Sequence, residues 1–196
     1  TANKALLAAS GEDLFVAAAT HGVDFEFEGS VGGGIPIVRA LKEGLSANRI
    51  ESIYGIINGT SNFILTKMTD ERKPFAEVLA EAQHAGYAEA DPTSDIEGLD
   101  SANKLAILVV LAFGTPVNLK EIYTEGITGV TPLDIEFARE FGYRIKLLAI
   151  AKAQQGAIEA RVHPTMIPEE YLLAQVGGVF NAIYVVGDYL GQGLFY

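Results

Sequence analysis

The chain contains no cysteine. That absence excludes a disulfide framework, a cysteine-ligated zinc ribbon and a thiol nucleophile together, and it fits the reducing cytoplasm where the protein is expected to reside. Positive charge is also scarce, with 14 Lys and Arg against 25 Asp and Glu and a net charge of -11. Phosphate backbones and anionic lipids attract the opposite sign, so neither nucleic acid nor a membrane is an expected partner. Long apolar runs are missing too. The densest, Leu105 to Phe113, is about half of the ~18 residues that a membrane span needs, and it reads as a buried helix. No basic segment leading into an apolar stretch opens the chain, so no secretory signal is read there. Nor does the chain open on Met: Thr1-Ala2-Asn3-Lys4 is expected to continue from a preceding part of a larger polypeptide.

What is present is enough for a core. A length of 196 residues with 49% hydrophobic and 20% charged side chains predicts one domain, or one plus a fragment of another. Leu14, Phe15 and Ala18 after Gly11-Glu12-Asp13 predict a helix over Glu12 to Thr20, with acidic residues at its positive end. Val23, Phe25 and Phe27 alternate with Asp24, Glu26 and Glu28, the period of a half-buried strand. A glycine-rich turn, Gly29 to Gly34, leads into helical spacing from Ile37 to about Leu45. Ile50, Ile53, Ile56 and Ile57 predict a strand that ends at Asn58-Gly59-Thr60, with Thr60 or Ser61 as cap of the next helix. Pro74 to Ala85 reads as a helix stopped by Gly86, and Thr131 to Phe141 as a short amphipathic one. Arg144 to Lys152 and the alternating Ile158 to Val162 pair across Gln154-Gln155-Gly156 as a hairpin, and Tyr184 to Asp188 reads as a last strand.

These elements predict an α+β domain with a mixed β-sheet and helices packed on it, rather than a doubly wound parallel sheet. Leu147-Leu148-Ala149-Ile150 are apolar at successive positions, so both faces of the sheet should be covered, the second by another copy in a homodimer.

The densest chemistry lies between Ala85 and Lys104, in Ala85-Gly86-Tyr87-Ala88-Glu89-Ala90-Asp91-Pro92-Thr93-Ser94-Asp95-Ile96-Glu97-Gly98-Leu99-Asp100-Ser101-Ala102-Asn103-Lys104. Asp100 and Lys104 have the spacing of an ordinary surface ion pair, which contributes ~0.2–0.5 kcal/mol. The helix continues, however, with no polar face to keep its first turn solvated, and a lysine and an aspartate at the mouth of a buried helix line a cleft. Calcium or magnesium is a second reading of the clustered oxygens, but Pro92 and Gly98 do not fall where a calcium loop needs them. A glycosidase-type carboxylate pair explains neither the lysine nor the glycine turn. The turn itself lacks the G-x-G-x-x-G order of a dinucleotide fingerprint, so a tight turn using positive φ remains open for it. His21, His84 and His163 are scattered and adjoin no second ligand.

The segment from Ala85 to Lys104 closely resembles the signature of homoserine dehydrogenases, and Glu28-Gly29-Ser30-Val31-Gly32-Gly33-Gly34-Ile35-Pro36 resembles that family's second marker. The resemblance runs from Thr1 to Tyr196. It implies an NAD- or NADP-dependent oxidoreductase that interconverts L-aspartate 4-semialdehyde and L-homoserine, on the route to threonine, methionine and isoleucine. By position it makes Lys104 and Asp100 catalytic. Glu89, Asp95, Tyr87, Thr60 and Gly59 become substrate-binding, with Glu89 holding the amino group, and Lys4 and Gly86 lie beside the cofactor. It also gives Glu28, Val31, Gly33 and Ile35 to a monovalent cation, Na+ or K+, which a glycine-rich turn could meet with successive carbonyls. The same resemblance makes residues 1–22 a remnant of a Rossmann-type nucleotide-binding domain and residues 23–196 the substrate-binding and dimerisation domain. The competing expectation is a non-catalytic oligomerisation or small-molecule-binding module of the same fold, against which the joint presence of Lys104, Asp100 and Glu89 argues.

Overall fold

A computed structural model describes residues 1–196. Its frame is a long antiparallel hairpin, β3 (Tyr143–Gln154) and β4 (Ala157–Pro168), paired from Tyr143 opposite Pro168 to Gln154 opposite Ala157. Gln155 (φ 50) and Gly156 (φ 82) turn it. Positive φ at both central residues gives a two-residue turn the twist of its flanking strands. β1 (Ile50–Ile56) pairs antiparallel with β3 on one side and with β5 (Ala182–Gly187) on the other, and β6 (Gly191–Phe195) closes that edge. At the opposite edge the two-residue β2 (Tyr123–Thr124) runs parallel to β4, so the six-stranded sheet, in the order β2-β4-β3-β1-β5-β6, is mixed.

The helices are α1 (Lys4–His21), α2 (Ile37–Arg39), α3 (Gly59–Glu71), α4 (Phe75–His84), α5 (Thr93–Ile96), α6 (Leu99–Phe113) and α7 (Pro132–Glu140). α7 is closed by a capping box, Thr131 and Asp134 bonding each other's backbone amide. The run Leu147 to Ile150 resolves by strand alternation. Leu147, Ala149 and Ala151 join Ile53, Leu105, Val162 and Ile183 in the main core, while Leu148 and Ile150 point the other way, toward Ile56, Ile167, Leu173 and Val176. Each Leu, Ile or Val among them, fully buried, stabilises the fold by ~1.5–3 kcal/mol. The second face is therefore met in part by the chain's own segment after β4, where only another copy was expected. Tyr54 and Tyr184 stay half-buried beside it, edge to face at 6.2 Å.

Several elements differ from expectation. No strand forms at 23–27: Val23 is exposed, and Phe25 and Phe27 instead meet Phe15, the three ring centroids lying 5.4–5.8 Å apart. The alternation was that of a chain running over a hydrophobic patch, which has the same period as a strand. α1 begins at Lys4 rather than Glu12, because Asn3 accepts from Leu6 N and caps it, and Ser10 (φ -142, ψ 23) breaks it just before Gly11-Glu12-Asp13. α2 runs on as a π-helical turn over Ala40–Gly44. Asn58, and neither Thr60 nor Ser61, caps α3.

Candidate functional site

At the end of β1 the chain passes through Ile57 and Asn58 into α3, and the first turn of α6 faces this junction. Gly98 takes φ +79 to start α6, and a Cβ there would lie 3.2 Å from both Thr124 and Val162, so glycine is needed for conformation and for space. Two residues on, Asp100 is buried, with 4% of its surface exposed. Its two oxygens have separate cations: Lys4 Nζ lies 2.8 Å from Oδ1, and Lys104 Nζ lies 2.7 Å from Oδ2. Asn58 Nδ2 donates to Asp100 Oδ2 at 2.9 Å and to Asp95 Oδ1 at 2.7 Å, while its own Oδ1 accepts from Ser61 N. Burial pushes the Asp100 carboxyl upward, but the Lys104 charge and the hydrogen bonds from Lys104, Lys4 and Asn58 outweigh it and hold its pKa below the ordinary value.

Lys104 has three N–H groups. One goes to Asp100 and one to the carbonyl of Ile57 at 2.7 Å, which leaves the third free. Lys4, at the first position of α1, gives one to Asp100 and keeps 41% of its side chain exposed. The arrangement is thus a carboxylate locked between two oriented ammonium groups, each with donor capacity to spare. That suits the stabilisation and protonation of a developing oxyanion.

Of the remaining expected residues, Asp95, Thr60 and Tyr87 belong to the same neighbourhood. Ser61 Oγ donates to Asp95 O at 2.8 Å, Thr60 Oγ1 donates to Tyr87 O at 2.7 Å, and the Tyr87 ring meets Phe63 at a tilt, with centroids 4.9 Å apart. Gly59 opens α3 beside them. Glu89 stands apart: it is exposed, and only its main-chain oxygen is engaged, by Gln83. Gly86, at φ 77 past the end of α4, is open on the Cβ side. Sequence reading missed Asn58, which joins both carboxylates; the signal available was an Asn at the N-cap position ahead of a helix, read there only as part of a turn. The expectation for Lys4, a place beside the cofactor, did not include its ion pair with Asp100, which closes the cluster across 96 positions of chain.

In the glycine-rich turn, Glu28 is engaged by main-chain amides. Its carboxylate accepts from Val38 N at 2.8 Å and Arg39 N at 2.9 Å, capping the Ile37–Arg39 helix from ten residues away. The carbonyls of Val31 and Gly33 accept no hydrogen bond, and that of Ile35 accepts from Ile37 N. No group of three or more His, Asp or Glu side chains gathers as a metal site. A concavity of about 610 Å3 between α1 and α6 contains none of the site residues.

A family model described as homoserine dehydrogenase matches residues 36–196. The chain belongs to the homoserine dehydrogenase family. The homoserine dehydrogenase of Neisseria gonorrhoeae is 56% identical over 196 residues, covering 100% of this chain and 45% of that protein. The crystal structure of a homoserine dehydrogenase from Thiobacillus denitrificans superposes with a TM-score of 0.98 at 57% identity, over 100% of this chain and 46% of the other. A hyperthermophilic archaeal homoserine dehydrogenase in complex with NADPH has a TM-score of 0.84 at 30% identity, over 100% of this chain and 56% of that one. The chain thus spans about half the length of the homoserine dehydrogenases it matches. Their mixed α+β architecture is the one described above, and no helix of this chain is long and apolar enough to cross a membrane.

Proposed function

We propose that the full-length protein interconverts L-aspartate 4-semialdehyde and L-homoserine with NAD or NADP, and that this chain supplies its substrate side. The observation that carries the reading is the buried Asp100 carboxylate with Lys104 and Lys4 on its two oxygens, within a family whose relatives include an NADPH complex. A bound nicotinamide supplies the hydride in the reducing direction and accepts it in the other. Hydride arriving at the aldehyde carbon breaks the C=O π bond and moves its electron pair onto oxygen. The free N–H of Lys104 meets that oxygen, stabilises the charge and delivers the proton that makes the alcohol. Asp100 aims the ammonium, and solvent, which reaches the 15%-exposed Lys104 side chain, restores the proton. Glu89, exposed and unpaired, is free to hold the substrate's ammonium.

Lys4 and Gly86 are proposed to border the nicotinamide. A monovalent cation, Na+ or K+, fits the free carbonyls of Val31 and Gly33 with that of Ile35, and the Glu28 carboxylate, engaged by two amides, adds negative charge nearby. We assign the cation no step in the chemistry. A homodimer is proposed through the sheet face that carries Tyr54 and Tyr184. Residues 1–22 are taken as part of a nucleotide-binding domain and 23–196 as the catalytic one.

The test is the rate of nicotinamide oxidation by the full-length protein with L-aspartate 4-semialdehyde. Turnover that collapses in Lys104→Ala supports the reading. Absence of turnover in the wild type, with the substrate still bound, returns the protein to a non-catalytic binding module.

A further inference from the structure

Lys146, in β3, is 3% exposed, and no carboxylate lies within ion-pair distance of its ammonium. The ammonium donates instead to two neutral acceptors, Asn62 Oδ1 at 3.1 Å and Val176 O at 2.7 Å. Asn62, equally buried in the first turn of α3, sends its own amide to Val176 O at 3.2 Å and Phe180 O at 3.0 Å. Burial, with Arg144 nearby, lowers the lysine's pKa to about 8. An unpaired ammonium in the interior is unfavourable, and an apolar residue of similar volume is often the more stable choice there. The hydrogen bonds made by Lys146 therefore point to a purpose other than packing.

Both donors act on one segment. Val176 to Phe180 leads from the 3-10 turn Leu172–Gln175, after β4, toward the start of β5 with two consecutive glycines, Gly177 and Gly178, the latter at φ +60. β1 and β5 are antiparallel with Ile56 opposite Ala182. Carried past the strand ends, that register sets Val179 beside Gly59. The approach is close: a Cβ on Gly59 would lie 2.8 Å from Val179 O, a separation that real Cβ atoms do not show. Gly59 and Thr60 follow directly on Asn58, the residue that ties Asp95 to Asp100. The segment is thus pinned from below by Lys146 and Asn62, and its upper edge runs along the site.

We propose that Lys146 is a positioning residue for the substrate site, holding Val176–Phe180 against the first turn of α3 as one wall of the pocket for the amino-acid substrate. The proposal rests on the function put forward above. Lys146 touches no reacting atom in it; it acts through the segment and Asn62.

The experiment is steady-state kinetics of the full-length enzyme carrying Lys146→Met, with L-homoserine and the nicotinamide cofactor varied separately. KM for L-homoserine is expected to rise about tenfold, with kcat changing less than about threefold and KM for the cofactor unmoved. A merely structural lysine would lower apparent kcat through loss of folded protein and leave both KM values where they are, so an unchanged KM for L-homoserine, or equal effects on both substrates, overturns the proposal. Should Lys146→Met fail to fold, hydrogen exchange on the wild type decides: L-homoserine should slow exchange at residues 177–180, and unaltered exchange there overturns the proposal. If the wild type does not turn over L-homoserine at all, it is the function that fails rather than the positioning role.

Discussion

Replacing Asp100 by Ala removes the one anion between two ammonium groups, and the structure sets the scale of the effect. Lys104 keeps only 15% of its side chain exposed and would retain a single partner, the Ile57 carbonyl. Lys4, 41% exposed, can turn to solvent, so its share is small. Removing one partner of a buried pair typically costs ~3–5 kcal/mol, and with Lys4 discounted the lower end, about 3 kcal/mol, applies. That is a large part of the ~5–15 kcal/mol that holds a domain folded. Urea unfolding followed by circular dichroism measures it. The pH dependence adds a second arm. The folded carboxyl has a pKa below its ordinary value, so the contribution of Asp100 is complete above the unfolded value of about 3.9 and disappears as the pH falls through the folded one. The difference between wild type and Asp100→Ala should hold steady from neutrality to about pH 5 and shrink in stronger acid. A loss within about 0.5 kcal/mol, or a difference that persists unchanged in acid, would refute the ion cluster as drawn.

Gly126→Ala should destabilise by about 1–3 kcal/mol or more, because a Cβ there would strike the Ile96 carbonyl and lie 2.6 Å from Glu97 Cα; an unaltered melting temperature would show the approach to be wrong. Glu28→Ala should cost about 1–2 kcal/mol by uncapping the helix at Ile37 and should weaken the response of activity to Na+ or K+; an unchanged response would remove Glu28 from the cation site. In Glu89→Ala the expected change is a raised KM for L-homoserine with kcat largely kept, and an equal loss in kcat would move Glu89 into the chemistry.

Local patterns were legible in the sequence wherever one face of an element decides its fate. The β3–β4 hairpin, α6 and α7 all follow from periodicity, turn residues and caps. The Val23–Phe27 reading failed because alternation reports which side chains are buried, and here it is Phe15 that buries Phe25 and Phe27, with no neighbouring strand to pair. β6 escaped notice because Gly191 and Gly193 interrupt its pattern at an exposed edge. For the site, resemblance supplied Lys104 and Asp100, and residue chemistry supplied the reason for them. What neither supplied was the third dimension: Lys4 on the other oxygen of Asp100, Asn58 between two carboxylates, and Lys146 beneath the Val176–Phe180 segment. These contacts join residues 30 or more positions apart, and no local period records them.

Central to the proposed function is the charge-stabilising and proton-donating role of Lys104. Steady-state kinetics of full-length Lys104→Ala, beside Lys4→Ala and with folding checked by circular dichroism, tests it most directly. The expected result is a kcat lowered by at least about a hundredfold in Lys104→Ala, with a smaller change in KM. A Lys104→Ala enzyme that keeps most of its kcat, while Lys4→Ala does not, would contradict the claim and transfer the role to Lys4.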